Sequence, residues 1–501
     1  MKKNIALLLA LLMMGSQLAA CSESTDNADT SAGTTAPSAD AVESETADPN
    51  AKEELGIEDT SYGGHTFNIF QHFVWNGPQL DFFAEEVTGE PINDADLDRM
   101  TVVEDKLDID IVPITQEVDN RGANQTLQIS VQAGTNDYDI ASLSAYSACN
   151  SLVAGLLTNL HTVTNLDLSR SWWDQYCNEE CTFGDALYFM TGDISTNDNL
   201  STYAIYFNKN MAADYALPNF YDDVDNMKWT TENLKTYASV VTANLDYNQN
   251  GKHVNDIEDI YGIWIWDDIM MGIVNAAGVK CCTVNDKGEL TFTLNTEKFI
   301  NTFEQFSDYA FNQDLTCAYQ RSGYEQPWGQ IAFRESRGLF YLSSLSDATG
   351  LRDMEDDFGI LPMPLYDEAQ TRYYNSVASW PMSFYTIPRN TYGEEEYART
   401  GHILQMLGYE SKYSLTPAYY EQTLQNKVSR DEESAAMLDL IFATRTYDFG
   451  WYFEIGKYNE SIMNLLRNYN TNVSSMLQAN AKSVTRALEK YNDTILSLEE
   501  E

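Results

Sequence analysis

Two sets of residues with chemical potential lie within one run, LDYNQNGKHVNDIEDIYGIWIWDD (residues 245–268). Asp246, Asn248 and Asn250 take alternate positions ahead of Gly251, as oxygen ligands do at positions one, three and five of a calcium loop with its glycine at six. Position twelve, where Glu closes such a loop, is Ile257, with Asp256, Glu258 and Asp259 around it. A structural Ca2+ and a plain polar turn both stay open. Trp264 and Trp266 then alternate along a strand-like stretch, so they share one face, with Asp267 and Asp268 at its end. Such a wall suits a sugar: its flat C–H faces stack on aromatic rings, and its hydroxyls need Asp, Asn, Glu or Ser at the edge. Nine Trp, 31 Tyr and 21 Phe make this chemistry available elsewhere too. Trp is often simply buried, so core packing is the competing reading, stronger for Trp264 than for Trp266 or Asp268.

Catalytic signatures are missing from the sequence. It contains no G-x-S-x-G, no H-E-x-x-H and no G-x-x-x-x-G-K-[ST]. His65, His72, His161, His253 and His402 are scattered, and carboxylates are too abundant for any one pair to be informative. No catalytic role is expected, and no cofactor beyond the Ca2+ just described.

The charge balance excludes other partners. With 76 acidic against 30 basic side chains the net charge is −46, which disfavours nucleic acid and anionic membrane surfaces. It disfavours an anionic ligand as well, unless a local Arg cluster overrides it. Lys2 and Lys3 precede an apolar run, Ile5 to Met14, that is too short to span a bilayer. Leu18-Ala19-Ala20-Cys21 resembles the lipobox of bacterial lipoproteins, which implies cleavage before Cys21 and lipid on its sulfur. Residues 22–60 carry eleven acidic residues against Lys52 and almost nothing apolar, so a charge-extended tether is expected. The other six cysteines, Cys149, Cys177, Cys181, Cys281, Cys282 and Cys317, show no zinc spacing. Buried thiols are expected, with Cys177 and Cys181 the nearest non-adjacent pair should one bridge form.

The elements that must position these residues alternate between strand and helix. Strands are expected at His65–Trp75, Leu107–Ile114, within DYDIASLSAYS, and at Ser201–Lys209, Gly338–Ser344 and Phe358–Pro364. Helices are expected near Ala95–Lys106 and Trp229–Ala243, with a long amphipathic run from Ser461 to Leu498. The class is α/β with a largely parallel sheet.

The order of YDIASLSAYSACNSLVAGLLTNL, IYFNKNM with KWTTENLKTYA, FRESRGLFYL, FGILPMPLYDEAQTRYY and FYTIP resembles the family 1 extracellular solute-binding proteins of ABC importers, the maltose-binding protein relatives. That resemblance implies a two-lobe, type II periplasmic-binding-protein fold. Crossings are expected near Leu200, after Ser344 and after Pro388. The lobes would comprise 61–200 with 345–390, and 201–344 with 391–501. It implies ligand contacts from Gln71, His72 and Trp75; Ser144, Tyr146 and Ser147; Asp198 and Asn199; Trp264, Trp266, Asp267 and Asp268; Ser343 and Ser344; and Trp380 and Trp451. The implied partners are a carbohydrate, in particular an oligosaccharide, and the permease subunits. A monomer on the outer face of the cytoplasmic membrane is expected, held there only by its lipid. A non-sugar solute (peptide, polyol or polyamine) and a surface glycan-active enzyme are the alternatives.

Overall fold

The computed structural model describes residues 52–58, 60–74, 77–78, 81–244, 256–318, 328–424 and 432–499. Cys21, Trp75, Asp246, Asn248 and Asn250 lie outside the described residues. From Glu54 onward the chain forms one unit built on two five-stranded sheets.

The first sheet is organised around β1 (His65–Val74). Short β2 (Gly77–Pro78) pairs antiparallel with its end, while β3 (Ile109–Gln116) and β4 (Ile140–Leu143) flank it in parallel. Being enclosed on both sides explains the near-continuous apolar run Phe67, Ile69 and Phe70, all fully buried. The helix Pro91–Leu107 joins β1 to β3; Pro91 suits its first turn, where an N–H has no partner. Helix Ala123–Ala133 leads to β4 and ends on Gly134 at φ 63°. Ser144 cuts β4 short by capping the helix Ala145–Val153, accepting from Ser147 N–H.

The second sheet begins with β5 (Tyr203–Asn208). β6 (Tyr261–Ile265) follows, then a hairpin outside the sheet, β7 (Cys282–Val284) and β8 (Leu290–Phe292). β9 (Thr316–Ala318), β10 (Gly338–Ser344) and β11 (Phe358–Leu361) complete the order β11-β5-β10-β6-β9. β6 runs parallel between β10 and β9, and all five of its residues are buried. Trp264 packs edge-on against Tyr261, and a Cβ at residue 338 would stand 2.3 Å from its ring, which accounts for Gly338. β12 (Asn375–Ser376) and β14 (Arg445–Thr446) form a parallel pair, and β13 (Phe384–Thr386) joins the first sheet beside β4.

Three expectations change. The chain does cross near Leu200, where helix Asn197–Ser201 leads into β5 and Thr202 bridges to Val377. It does not cross after Ser344: β11 pairs antiparallel with β5, so residues 358–361 belong to the second sheet, and the return comes between β12 and β13. Nor does it leave after Pro388, because helices Glu394–Tyr413 and Leu415–Leu424 pack against Pro91–Leu107 of the first lobe. The run 461–498 divides into helices Tyr458–Arg467 and Val473–Glu499, with Tyr469 at φ 52° in the break. All six described cysteines are buried and none forms a disulfide; Cys177 and Cys181 bring their sulfurs to 3.8 Å. No helix among the described residues is long and apolar enough to cross a membrane.

Candidate functional site

Where the ends of the two sheets face each other, Asn120, Arg121, Tyr146, Trp266, Asp268, Met271, Trp380, Met463 and Arg467 line a cavity of about 270 Å³. A smaller recess beside it shares Trp266, Asp268 and Trp380 and adds Tyr203, Ser343 and Ser344. The first lobe contributes the loop after β3 (Asn120, Arg121), the helix after β4 (Tyr146) and the segment ahead of β13 (Trp380). The second contributes the end of β6 (Trp266, Asp268) and helix Tyr458–Arg467. Strand ends facing across a crevice are where α/β sheets hold ligands.

Each wall is braced from behind. Asn120 accepts at its carbonyl from the Ser144 and Ser147 hydroxyls, and its Nδ2 donates to the Trp380 carbonyl at 3.4 Å. Ser379 Oγ donates to Tyr146 Oη at 2.8 Å, and the Arg121 guanidinium lies 4.2 Å over the Tyr146 ring. Arg121 also donates to Glu454 Oε1 at 2.9 Å, and Arg467 Nε pairs with Asp267. Trp266 donates to the Asp268 carboxylate. Burial, with the neighbouring Asp267 carboxylate adding to it, pushes Asp268 up to about 7, so this acceptor holds its proton more tightly than an ordinary carboxylate. Burial also raises the Tyr146 hydroxyl.

Of the residues expected from sequence, the structure brings together Tyr146, Trp266, Asp268, Trp380, Ser343 and Ser344. Ser344 bonds to Ser346 Oγ at 2.8 Å, and Ser343 donates to Asp347 at 2.6 Å. The others lie behind the walls. Strand β1 extends past Gln71 and His72, which are buried: Gln71 donates to the Phe82 carbonyl, while His72 Nε2 accepts from Ser144 N–H and Nδ1 bonds to the Phe73 carbonyl. Burial lowers the His72 pKa, in keeping with a neutral ring. Ser144 and Ser147 are spent on Asn120, and Asp267 on Arg467.

Asp198 and Asn199 belong to the crossing, where Arg445 binds both. Trp264 is fully buried with Nε1 on the Arg337 carbonyl at 2.7 Å, and Trp451 donates to Asn275 at 3.1 Å in the core. Asp256, Glu258 and Asp259 sit just ahead of β6; Asp256 accepts from Glu258 N–H, and Asp259 is buried. No group of three His, Cys, Asp or Glu placed to hold a metal occurs among the described residues. Sequence reasoning missed Asn120, Arg121, Met271, Met463 and Arg467.

The fold is similar to that of a cyclo/maltodextrin-binding protein complexed with maltotetraose: TM-score 0.54, 13% identity, covering 86% of this chain and 97% of that one. An ABC substrate-binding protein from Listeria monocytogenes in complex with cycloalternan matches at TM-score 0.52 and 10% identity over 86% and 99%. UgpB from Mycobacterium tuberculosis in complex with glycerophosphocholine matches at 0.53 and 15% over 86% and 99%. The chain has the two-lobe solute-binding fold. No protein-family model matches the sequence, and no curated protein is similar to it. In this solute-binding fold the cavity between Tyr146 and Trp266 occupies the cleft between the lobes.

Proposed function

We propose that this protein is a receptor that captures a carbohydrate outside the cell, held at the membrane by lipid on Cys21, and presents it to the permease of an ABC importer. The observation that carries this reading is the cleft itself. Trp380 from one lobe and Trp266 from the other line it with aromatic rings, Tyr146 lies beneath Arg121, and Asp268 offers a hydroxyl acceptor. A ligand touching both walls stabilises their approach, because only that arrangement contacts it from both sides. Two of the neighbours hold cycloalternan and maltotetraose, which supports a saccharide here. Capture without turnover is favoured because Asp268 is the single carboxylate among the described lining residues, whereas glycoside hydrolysis ordinarily uses two. The test is tryptophan fluorescence of the purified protein titrated with mono- and oligosaccharides. A saturable change with unchanged sugar after overnight incubation supports the receptor. Silence across the panel, or release of product, refutes it.

A further inference from the structure

We infer that the sugar taken by this cleft carries an anionic group, a carboxylate or a phosphate or sulfate ester, seated between Arg121 and Arg467. This deepens the carbohydrate reading and rests on it. The chain as a whole carries 76 acidic against 30 basic side chains, yet the described residues lining the cavity include two guanidiniums and one carboxylate. The lining itself therefore carries more cation than anion, although Glu454 and Asp267, outside the lining, each pair with one of the two guanidiniums.

The donor count points the same way. A guanidinium has five N–H donors in a rigid fork. Among the described residues Arg121 commits Nη2 to Glu454, and Arg467 commits Nε to Asp267. The Nη1/Nη2 edge of Arg467 and, as separate donors, Nε and Nη1 of Arg121 are left for something else, and the two side chains are 46% and 54% exposed. Such forks match the paired oxygens of a carboxylate or phosphate. Against them the cavity offers few acceptors, chiefly Asp268 and the Asn120 amide oxygen. A neutral sugar, whose hydroxyls both donate and accept, would leave that donor surplus unmatched. An anionic group absorbs it, while ring hydroxyls reach Asp268 and the ring face meets Trp266 or Trp380.

The experiment is calorimetric titration with matched pairs: galactose and galacturonate, glucose and glucuronate, glucose and glucose 6-phosphate, each also as the disaccharide. At least one anionic member is expected to bind tenfold or more tightly than its neutral parent, and the uronate and phosphate arms tell the two sources apart. R121Q and R467Q, which thermal melts should show to be folded, are each expected to shrink that ratio at least tenfold. Raising NaCl from about 50 to 500 mM should shrink it too, since partly exposed pairs are screened. A neutral parent that binds as tightly as its acid, or a ratio that survives both substitutions, overturns the inference and leaves the receptor reading standing. Binding of neither class overturns both.

Discussion

Arginine–carboxylate pairs at the crossing between the lobes and in the cleft are used in opposite ways. At the crossing between the lobes, Arg445 is 6% exposed and gives Nη1 to Asp174 at 3.2 Å and to Asp198 at 3.1 Å, Nη2 to Asn199, and its face to Phe442 at 4.5 Å. Tyr447 adds a hydrogen bond to Asp174 at 2.9 Å. In the cleft, Arg121 and Arg467 each make one pairing and remain about half exposed. A guanidinium whose terminal nitrogens are spent inside the protein holds the fold. One with most of its fork unspent, at the rim of a cavity, is available to a ligand. Burial likewise separates the tryptophans: Trp264 and Trp451 are enclosed in the core, whereas Trp266 and Trp380 line the cavity.

The largest expected effect breaks the first member of that comparison. Arg445→Met strands two buried carboxylates, a loss of about 3–5 kcal/mol, and should appear as a large drop in Tm. R121Q, which touches an exposed pair worth about 1 kcal/mol or less, should barely move it, and R467Q, whose partner Asp267 is buried, should fall between the two. Equal drops in all three would erase the distinction between hinge and cleft.

Next in size is affinity. Trp266→Ala and Trp380→Ala should each weaken sugar binding by about tenfold or more, since an aromatic contact is worth about 0.5–1.5 kcal/mol beyond its buried area, with little change in melting. Trp264→Ala should instead destabilise the second lobe by about 3–5 kcal/mol, as large-to-small core substitutions do. Paired thermal melts and titrations separate the two classes.

The smallest effect concerns Asp268. Its folded pKa of about 7 lies above the ordinary carboxylate value of 3.8, so the folded state holds this proton more tightly than the unfolded chain does. The resulting stability is present below about pH 4 and is lost as pH rises through about 7. Asp268→Asn should therefore raise Tm at pH 8, by a few degrees after allowance for the solvent the cavity admits, and by less at pH 5. A variant that melts lower than the parent at pH 8 would contradict the burial argument.

How much of this was legible in the sequence follows from where each signal resides. The α/β alternation was readable because strands enclosed on both sides are continuous apolar runs, as in β1 and β6. Gly338–Ser344 appears in the structure with the bounds the sequence suggested. Trp266, Asp268, Tyr146 and Trp380 could be picked out because aromatic and acidic residues at strand ends are conspicuous in one dimension. Arg121 and Arg467 could not: one sits in an ordinary polar turn and the other on the polar side of an amphipathic helix, and only folding brings them to one cavity. Gln71 and His72, inside the expected strand His65–Trp75, were named as ligand contacts, but β1 pairs with β3 as far as His72 opposite Gln116 and buries both. Within residues 345–390, expected in the first lobe, Phe384–Thr386 joins the first sheet but Phe358–Leu361 joins the second. A short strand such as Phe358–Leu361 carries no mark of which sheet it will join.

The most direct test of the central claim asks which tryptophans see the ligand. With a saccharide that changes the fluorescence of the parent protein, the account predicts that replacing Trp266 and Trp380 together by Phe abolishes the change. Replacing Trp264 and Trp451 by Phe should leave it in place. A response that persists without the cleft pair and vanishes without the core pair would contradict capture between the lobes.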